Sequence, residues 1–570
     1  MRTTRCGRAW RGFESIDNDA RSGRDGMAGS NDIGHPAAQA AAVAARAGDV
    51  PGGRLRTWAI VVFVAFAIVT VLYALTAIAT GQANVGAVSG DALLHAREQL
   101  RAMSIAGADP GWGQVFGTDD PFIWIAARLT SARLMFGENG FYDTVLYYAR
   151  MPKANIVILS LHNIMGGTCM LLGALQFWPA LRRNYPRWHR TAGVVYMVSS
   201  QLAMIGAMTY MVRTPVAMMY DTLTFATGLW FLALGVTASL WMSIHHLIRR
   251  EIAQHQAYMA INYGFLLTAP FTRIDWIWAA MVYPDVNQNT SNFSAVAVLI
   301  AQCMLFGYLL LCMNRWFQKT RPATGRTGPV FPAALTEAVA NAGVAVLSVL
   351  SIAALAAVVD YYLVTPGLDQ FQGGKDWIPA GLAAFQGSVL RAAPGSRWLY
   401  AVSAIGVCAL APFLLRAAFI GKPQPARMMR LAAATGVLTA ANGAVLLYWG
   451  QLLGGPTAIT SSGGTPFQMN GAFELFFAVL LLWGVMRERH ALVKEWSLFA
   501  ILCVLALPSF YALVPLVGWI YLQIGMPDLQ HYVEITSVYR VAISVGLILA
   551  MLAGSLYAVY GSATQEKFAR

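Results

Sequence analysis

Charge is what this sequence has least of. Of its 570 residues only 12% are Asp, Glu, Lys or Arg, while 57% are hydrophobic. A soluble globular chain carries about 25% charge. The deficit, a mean hydropathy of +0.53 and long apolar runs exclude an ordinary soluble domain and imply an all-α polytopic membrane protein. Cysteine is scarce as well. The six are Cys6, Cys169, Cys303, Cys312, Cys408 and Cys503, five of them in apolar runs and none in a CxxC pair. That excludes a disulfide framework and a thiolate metal site. No P-loop, hydrolase or dinucleotide motif stands in the strand-to-helix context it needs. The net charge of +13 does not point to nucleic acid, because membrane proteins collect Lys and Arg in their cytoplasmic loops.

What is present is a series of twelve apolar segments long enough to span. Their limits are near 57–79, 155–178, 191–212, 222–246, 257–282, 293–314, 336–360, 397–418, 430–453, 468–486, 496–521 and 537–560. At ~1.5 Å per residue each can cross ~30 Å of hydrocarbon. Pro508 and Pro515 predict a kink in the eleventh. With the N-terminus inside, the five short inner loops hold 17 Lys and Arg residues and the four short outer loops only Arg213. That asymmetry predicts cytoplasmic N- and C-termini in a bacterial inner membrane. Four of those arginines, Arg182, Arg183, Arg187 and Arg190, crowd the turn between spans two and three.

Two longer loops fall outside, 80–154 and 361–396, each after the first span of a six-span group. The chain therefore reads as 6+6: a first half over 56–315, a basic, Pro/Gly-rich linker over 316–335 and a second half over 336–562. Two six-span halves in the same orientation form a parallel pseudo-repeat. Residues 1–55 are polar and rich in Arg, Ala and Gly, and read as a disordered cytoplasmic tail. They contain no apolar core of a signal peptide. Met27 opens a more ordinary N-terminus, so 1–26 read as an over-extended start.

Polar side chains inside spans are costly and mark interior faces or sites. In span five, Asn262 follows His255 by seven residues and Arg273 follows by eighteen. In a continuous helix all three share one stripe. In span two, Gly166 and Gly173 fall on the face of His162, so a helix or a flat cofactor can approach there; the plainer alternative is a helix contact with His162 bonded to a carbonyl. His189, His245, His246 and His255 stand at inner span ends, where they form either a metal-ligating cluster or merely hydrated helix ends. The second half has fewer such residues. Glu474 is an isolated carboxylate in span ten and Asn442 lies mid-span in span nine. Arg540 and Asp360, near outer span ends, are expected to snorkel. His490 and His531 are in loops.

Three blocks of the first half resemble the DUF2306 family of bacterial membrane proteins. In "LHNIMGGTCMLLGALQFWPALRR", His162, Gly166, Gln176, Phe177, Leu181 and Arg182 match. In "YPRWHRTAGVVYM", Pro186, His189, Arg190, Gly193, Val195 and Tyr196 match. In span five, His255, Met259, Asn262, Tyr263 and Arg273 match, whereas Gln256 stands for the family's Arg and Tyr258 for its Trp. The resemblance covers about 155–280. It implies that these residues matter and names no reaction.

Three functions fit the residues. The first is a redox protein holding b-type haem or quinone between histidine-bearing helices, with Arg273 on a propionate or a quinone carbonyl. The second is a small-solute transporter, coupled to protons, using Glu474, Arg273 and Asn262. The third is a non-catalytic assembly, sensor or metal-handling protein, with loops 80–154 and 361–396 docking a partner subunit and His189, His245, His246 and His255 taking a metal. A shared site at His162, His189, Arg190, His255, Asn262, Tyr263 and Arg273 serves the first of these best.

Overall fold

The computed structural model describes residues 53–86, 134, 151–219, 222–283, 286, 288–317, 331–421, 424–457 and 463–561. The tail 1–52, most of loop 80–154 and most of linker 316–335 lie outside the described residues. The hydrophobic core lies within the unit Phe63–Arg570.

The protein is an all-α polytopic membrane protein. Eleven helices among the described residues are long and apolar enough to cross a bilayer. In hydrocarbon, backbone groups have no water to bond, so a helix, which satisfies them internally, is the stable spanning form. The first half contains α1 (Gly53–Gly86), α2 (Lys153–Gln176), the short α3 (Pro179–Asn184), α4 (Pro186–Arg213), α5 (Thr222–Ile248), α6 (Ile252–Leu266), α7 (Thr268–Val282) and α8 (Gln288–Phe317). The second contains α9 (Ala333–Val358), α10 (Ala380–Ala392), α11 (Pro394–Phe419), α12 (Pro425–Leu453), α13 (Thr465–Met486), α14 (His490–Gln523), α15 (Leu529–Glu534) and α16 (Ser537–Tyr560). Proline opens α3, α4, α11, α12 and α13 at their first positions. Its fixed φ suits the first turn, where its missing N–H costs nothing.

The expected fifth span departs from a single helix. It is two 15-residue helices, α6 and α7, divided at Leu267. Pro270 has no N–H to give the carbonyl of Leu266, and Thr268 Oγ1 donates instead to Phe265 O at 2.6 Å. The expected stripe assumed one continuous helix, and Arg273 stands on a different helix from His255 and Asn262. In contrast, α14 runs unbroken through Pro508 and Pro515 and begins at His490, a turn and a half before the expected start.

Loop 361–396 does not project. Asp369 accepts from Arg391 Nη1 at 2.7 and 3.0 Å, and Leu368, Phe371, Ile378 and Leu382 are buried. Tyr361 stacks on Tyr511 of α14 at 3.8 Å between centroids, and Trp377 lies over Gly518 of the same helix. Its two hydrogen bonds hold the Asp369 carboxyl below the usual carboxylate range.

A correction concerns Arg540. It does not snorkel to the surface but is fully buried. Its Nη2 donates to Ile535 O at 2.7 Å and its Nε to Thr536 O at 3.4 Å. These carbonyls belong to the turn between α15 and α16, where Thr536 has a φ of 67°. Each of these carbonyls also accepts a second bond, from Thr536 Oγ1 and from the Arg540 backbone N–H, and the charged fork is satisfied where it stands. Asp360 is exposed, as a group at a span end should be, and accepts from Thr365 Oγ1 at 3.0 Å.

The two halves share one hydrophobic core. Arg315 of α8 reaches Glu495 of α14 at 2.9 Å and donates to Ala558 O of α16. His246 of α5 lies 2.9 Å from the hydroxyl of Tyr560.

Candidate functional site

The three blocks singled out in the first half meet one another. Tyr196 of α4 donates to Asn262 Oδ1 of α6 at 2.6 Å. The amide nitrogen of Asn262 donates to Val236 O at 2.7 Å and to Ser239 Oγ at 3.1 Å on α5. Tyr263 donates to Met170 O of α2 at 3.0 Å, and its ring occupies the space that a Cβ on Gly173 would need. Phe177 packs on the same ring at 5.6 Å. Gly193 lets Gln176 approach, its absent Cβ lying 3.2 Å from Oε1. His162 donates from Nδ1 to Ala203 O of α4 at 2.9 Å, beside Gly206. The blocks thus form one hydrogen-bonded seam of α2, α4, α5 and α6. A buried polar group that is fully paired fixes helix register, and that is what Asn262, Tyr263 and His162 do here.

The histidines at the basic end have partners of their own. His255 Nδ1 lies 2.8 Å from Ser243 Oγ and 3.1 Å from Ser243 O. His246 Nδ1 donates to Glu251 Oε2 at 2.6 Å, and the Tyr560 hydroxyl joins that of Tyr258 at 3.0 Å. His245 lies 3.3 Å from Arg249. His189 feels the charges of Arg182, His255 and Arg190, and its Nδ1 is buried with no hydrogen bond. His189 and His255 are therefore electrostatic neighbours that no hydrogen bond joins. Among the described residues no group of three or more His, Cys, Asp or Glu is placed to hold a metal.

A bis-histidine haem needs its two ligands at one depth. His162 contacts the level of Ala203, fourteen residues along α4 from His189, which is about 21 Å of helix. The two cannot share a haem. Arg273, a candidate for a propionate or quinone carbonyl, lies with its guanidinium 4.7 Å from the Trp276 ring and 5.5 Å from that of Tyr73, a cation–π arrangement.

The second half holds a different feature. Glu474 sits at the tenth position of the 22-residue α13 and is fully buried. Neither carboxyl oxygen has a hydrogen-bond partner. Tyr400 of α11 and Cys503 of α14 lie within electrostatic range of it. Behind Tyr400 is an aromatic stack, with Trp449 at 4.8 Å and Tyr362 at 4.5 Å between centroids. The backbone of α12 approaches at Gly443, whose absent Cβ would stand 3.1 Å from Glu474 Cβ. The low-dielectric interior makes an unpaired buried carboxylate costly, by several kcal/mol even after relaxation. Such a group persists when function needs it.

Sequence reasoning named Glu474 and Asn442 and passed over Glu495, Glu251, Tyr308 and Asn470. Tyr308 donates to Glu495 at 2.6 Å and accepts from Trp496 at 2.8 Å, which completes the pairing around Arg315. The available signal was a carboxylate, Glu495, at the edge of an apolar run opposite a terminal arginine.

Residues 159–310 match the family model described as predicted membrane protein (DUF2306). No curated protein and no solved structure matches the chain.

Proposed function

We propose that this protein carries a small solute across the membrane, coupled to the movement of a small cation, and that Glu474 bears the exchanging charge. One observation supports this above the others: a carboxyl group at mid-helix, fully buried, with neither oxygen partnered. Elsewhere in the interior, Glu495 has Arg315, and Arg540 has the carbonyls of Ile535 and Thr536. A carboxyl kept apart from such pairing is free to exchange a cation, as proton- and ion-coupled transporters require. In this reading the expected first half rocks against the second. The asymmetry of Lys and Arg supports a bacterial inner membrane with both termini in the cytoplasm.

The test is transport. The full chain, reconstituted in proteoliposomes, is offered a mixture of small polar solutes under a proton or sodium gradient. Gradient-dependent uptake or efflux is expected in the wild type and absent in Glu474→Gln. No solute movement by the wild type, or equal movement by Glu474→Gln, contradicts the proposal. Arg273→Ala is expected to leave gradient dependence in place, because its partners are the Tyr73 and Trp276 rings rather than Glu474.

A further inference from the structure

Oxygen atoms without donors gather along the seam of α12 and α13. Asn442 donates its amide nitrogen to Ser403 Oγ at 3.0 Å and Tyr400 O at 3.3 Å. Those bonds fix the amide, and its Oδ1 is buried with no partner. Asn470 donates to Pro466 O at 2.8 Å, and its Oδ1 is likewise unpartnered. Thr439 is fully buried and its hydroxyl bonds nothing. A helical Ser or Thr normally returns its hydroxyl to the preceding turn, as Ser403 does to Leu399 O at 2.8 Å. Thr439 leaves that bond unmade.

These atoms share a neighbourhood. The two helices run antiparallel and touch where Gly443 meets Gly471, with a Cβ on Gly471 only 2.6 Å from Gly443 O. Glu474 Cβ is beside the same Gly443, so Asn442 and Glu474 are level. Thr439 precedes Asn442 by three residues and Asn470 precedes Glu474 by four. At ~1.5 Å per residue they stand about one turn to either side of that level.

Acceptors in this number ask for a positive partner. A proton on Glu474 satisfies one bond and leaves Asn442 Oδ1 and Asn470 Oδ1 without donors. A hard cation satisfies those within its reach, because carboxylate, amide carbonyl and hydroxyl oxygens are its preferred ligands. Charge selects among hard cations. The site carries one carboxylate, so a monovalent ion leaves it neutral, whereas a divalent ion leaves a net positive charge in low dielectric. We propose that Glu474, Asn442 and Thr439 form a sodium-ion site between α12 and α13, with Asn470 one turn away on its approach. The site rests on the carrier reading of Glu474 and names its coupling ion.

The measurement is equilibrium binding of radioactive sodium to the purified full chain in nanodiscs, with choline as the inert salt. The wild type is expected to bind one sodium ion per chain saturably, and potassium at equal concentration to displace it poorly. Glu474→Gln is expected to abolish binding. Asn442→Ala and Thr439→Val are expected to weaken it by about tenfold or more, the loss typical when a metal's surroundings are cut back. If Glu474→Gln does not fold, the other two variants decide. A sodium-dependent rise in Tm, present in the wild type and reduced in the variants, gives a second readout. Absence of sodium binding, or binding unchanged in Asn442→Ala and Thr439→Val, overturns the site. Uptake driven by protons alone and lost in Glu474→Gln overturns the sodium site while leaving the carrier. Sodium binding without any solute movement does the reverse.

Discussion

At the scale of single residues, the polar side chains of the interior divide into paired and unpaired. Asn262 is the centre of the paired set, with bonds to Tyr196, Val236 and Ser239. Asn262→Ala strands the buried Tyr196 hydroxyl, and a stranded group of that kind costs about 1–3 kcal/mol. A clear fall in Tm in nanodiscs is expected, with sodium binding per folded chain unchanged. Loss of sodium binding in this stable fraction would tie the two halves' polar groups together, against the division drawn here. The sequence made His162, Asn262 and Tyr263 legible as interior residues, since a polar group in an apolar run must face inward. It did not make their partners legible. Nearly every bond they form is to a residue 26 to 93 positions away, and no periodicity within one helix reports that.

At the scale of elements, the apolar runs located the helices well, because length and hydropathy alone determine what can cross hydrocarbon. The exception is at Pro270, where α6 and α7 divide. Loop 361–396 read as a docking loop because it is long; in the fold its apolar residues are buried against its own half. Asp369 and Arg391 pin it at its edge. The carboxyl of Asp369 is held below the usual range by those hydrogen bonds. Its contribution is therefore present above the ordinary carboxylate value of about 3.9 and lost as pH falls through the lower, folded value. The pair is partly exposed, so the effect is small and local. Protection factors across 366–391, each taken relative to the intrinsic exchange rate at the same pH, are expected to fall at acid pH in the wild type and to be already low in Asp369→Asn at neutral pH. Equal protection in both at neutral pH would remove the ion pair from the account.

At the scale of the whole molecule, composition settled the class and the Lys and Arg asymmetry suggested the orientation. The contacts between halves were hidden. Arg315, counted in the sequence as one of the charges of an inner loop, is buried with Glu495, Tyr308 and Ala558 around it. His246 and Tyr258 reach Tyr560 of α16. These bonds sit at the basic end, so they join the halves there, while Glu474 lies midway along α13, within the second. The most direct test of an exchanging charge at Glu474 is current. On a solid-supported membrane bearing oriented proteoliposomes, a step to a transported solute should give a transient current that depends on sodium and vanishes in Glu474→Gln. A current of unchanged size in Glu474→Gln would contradict the account.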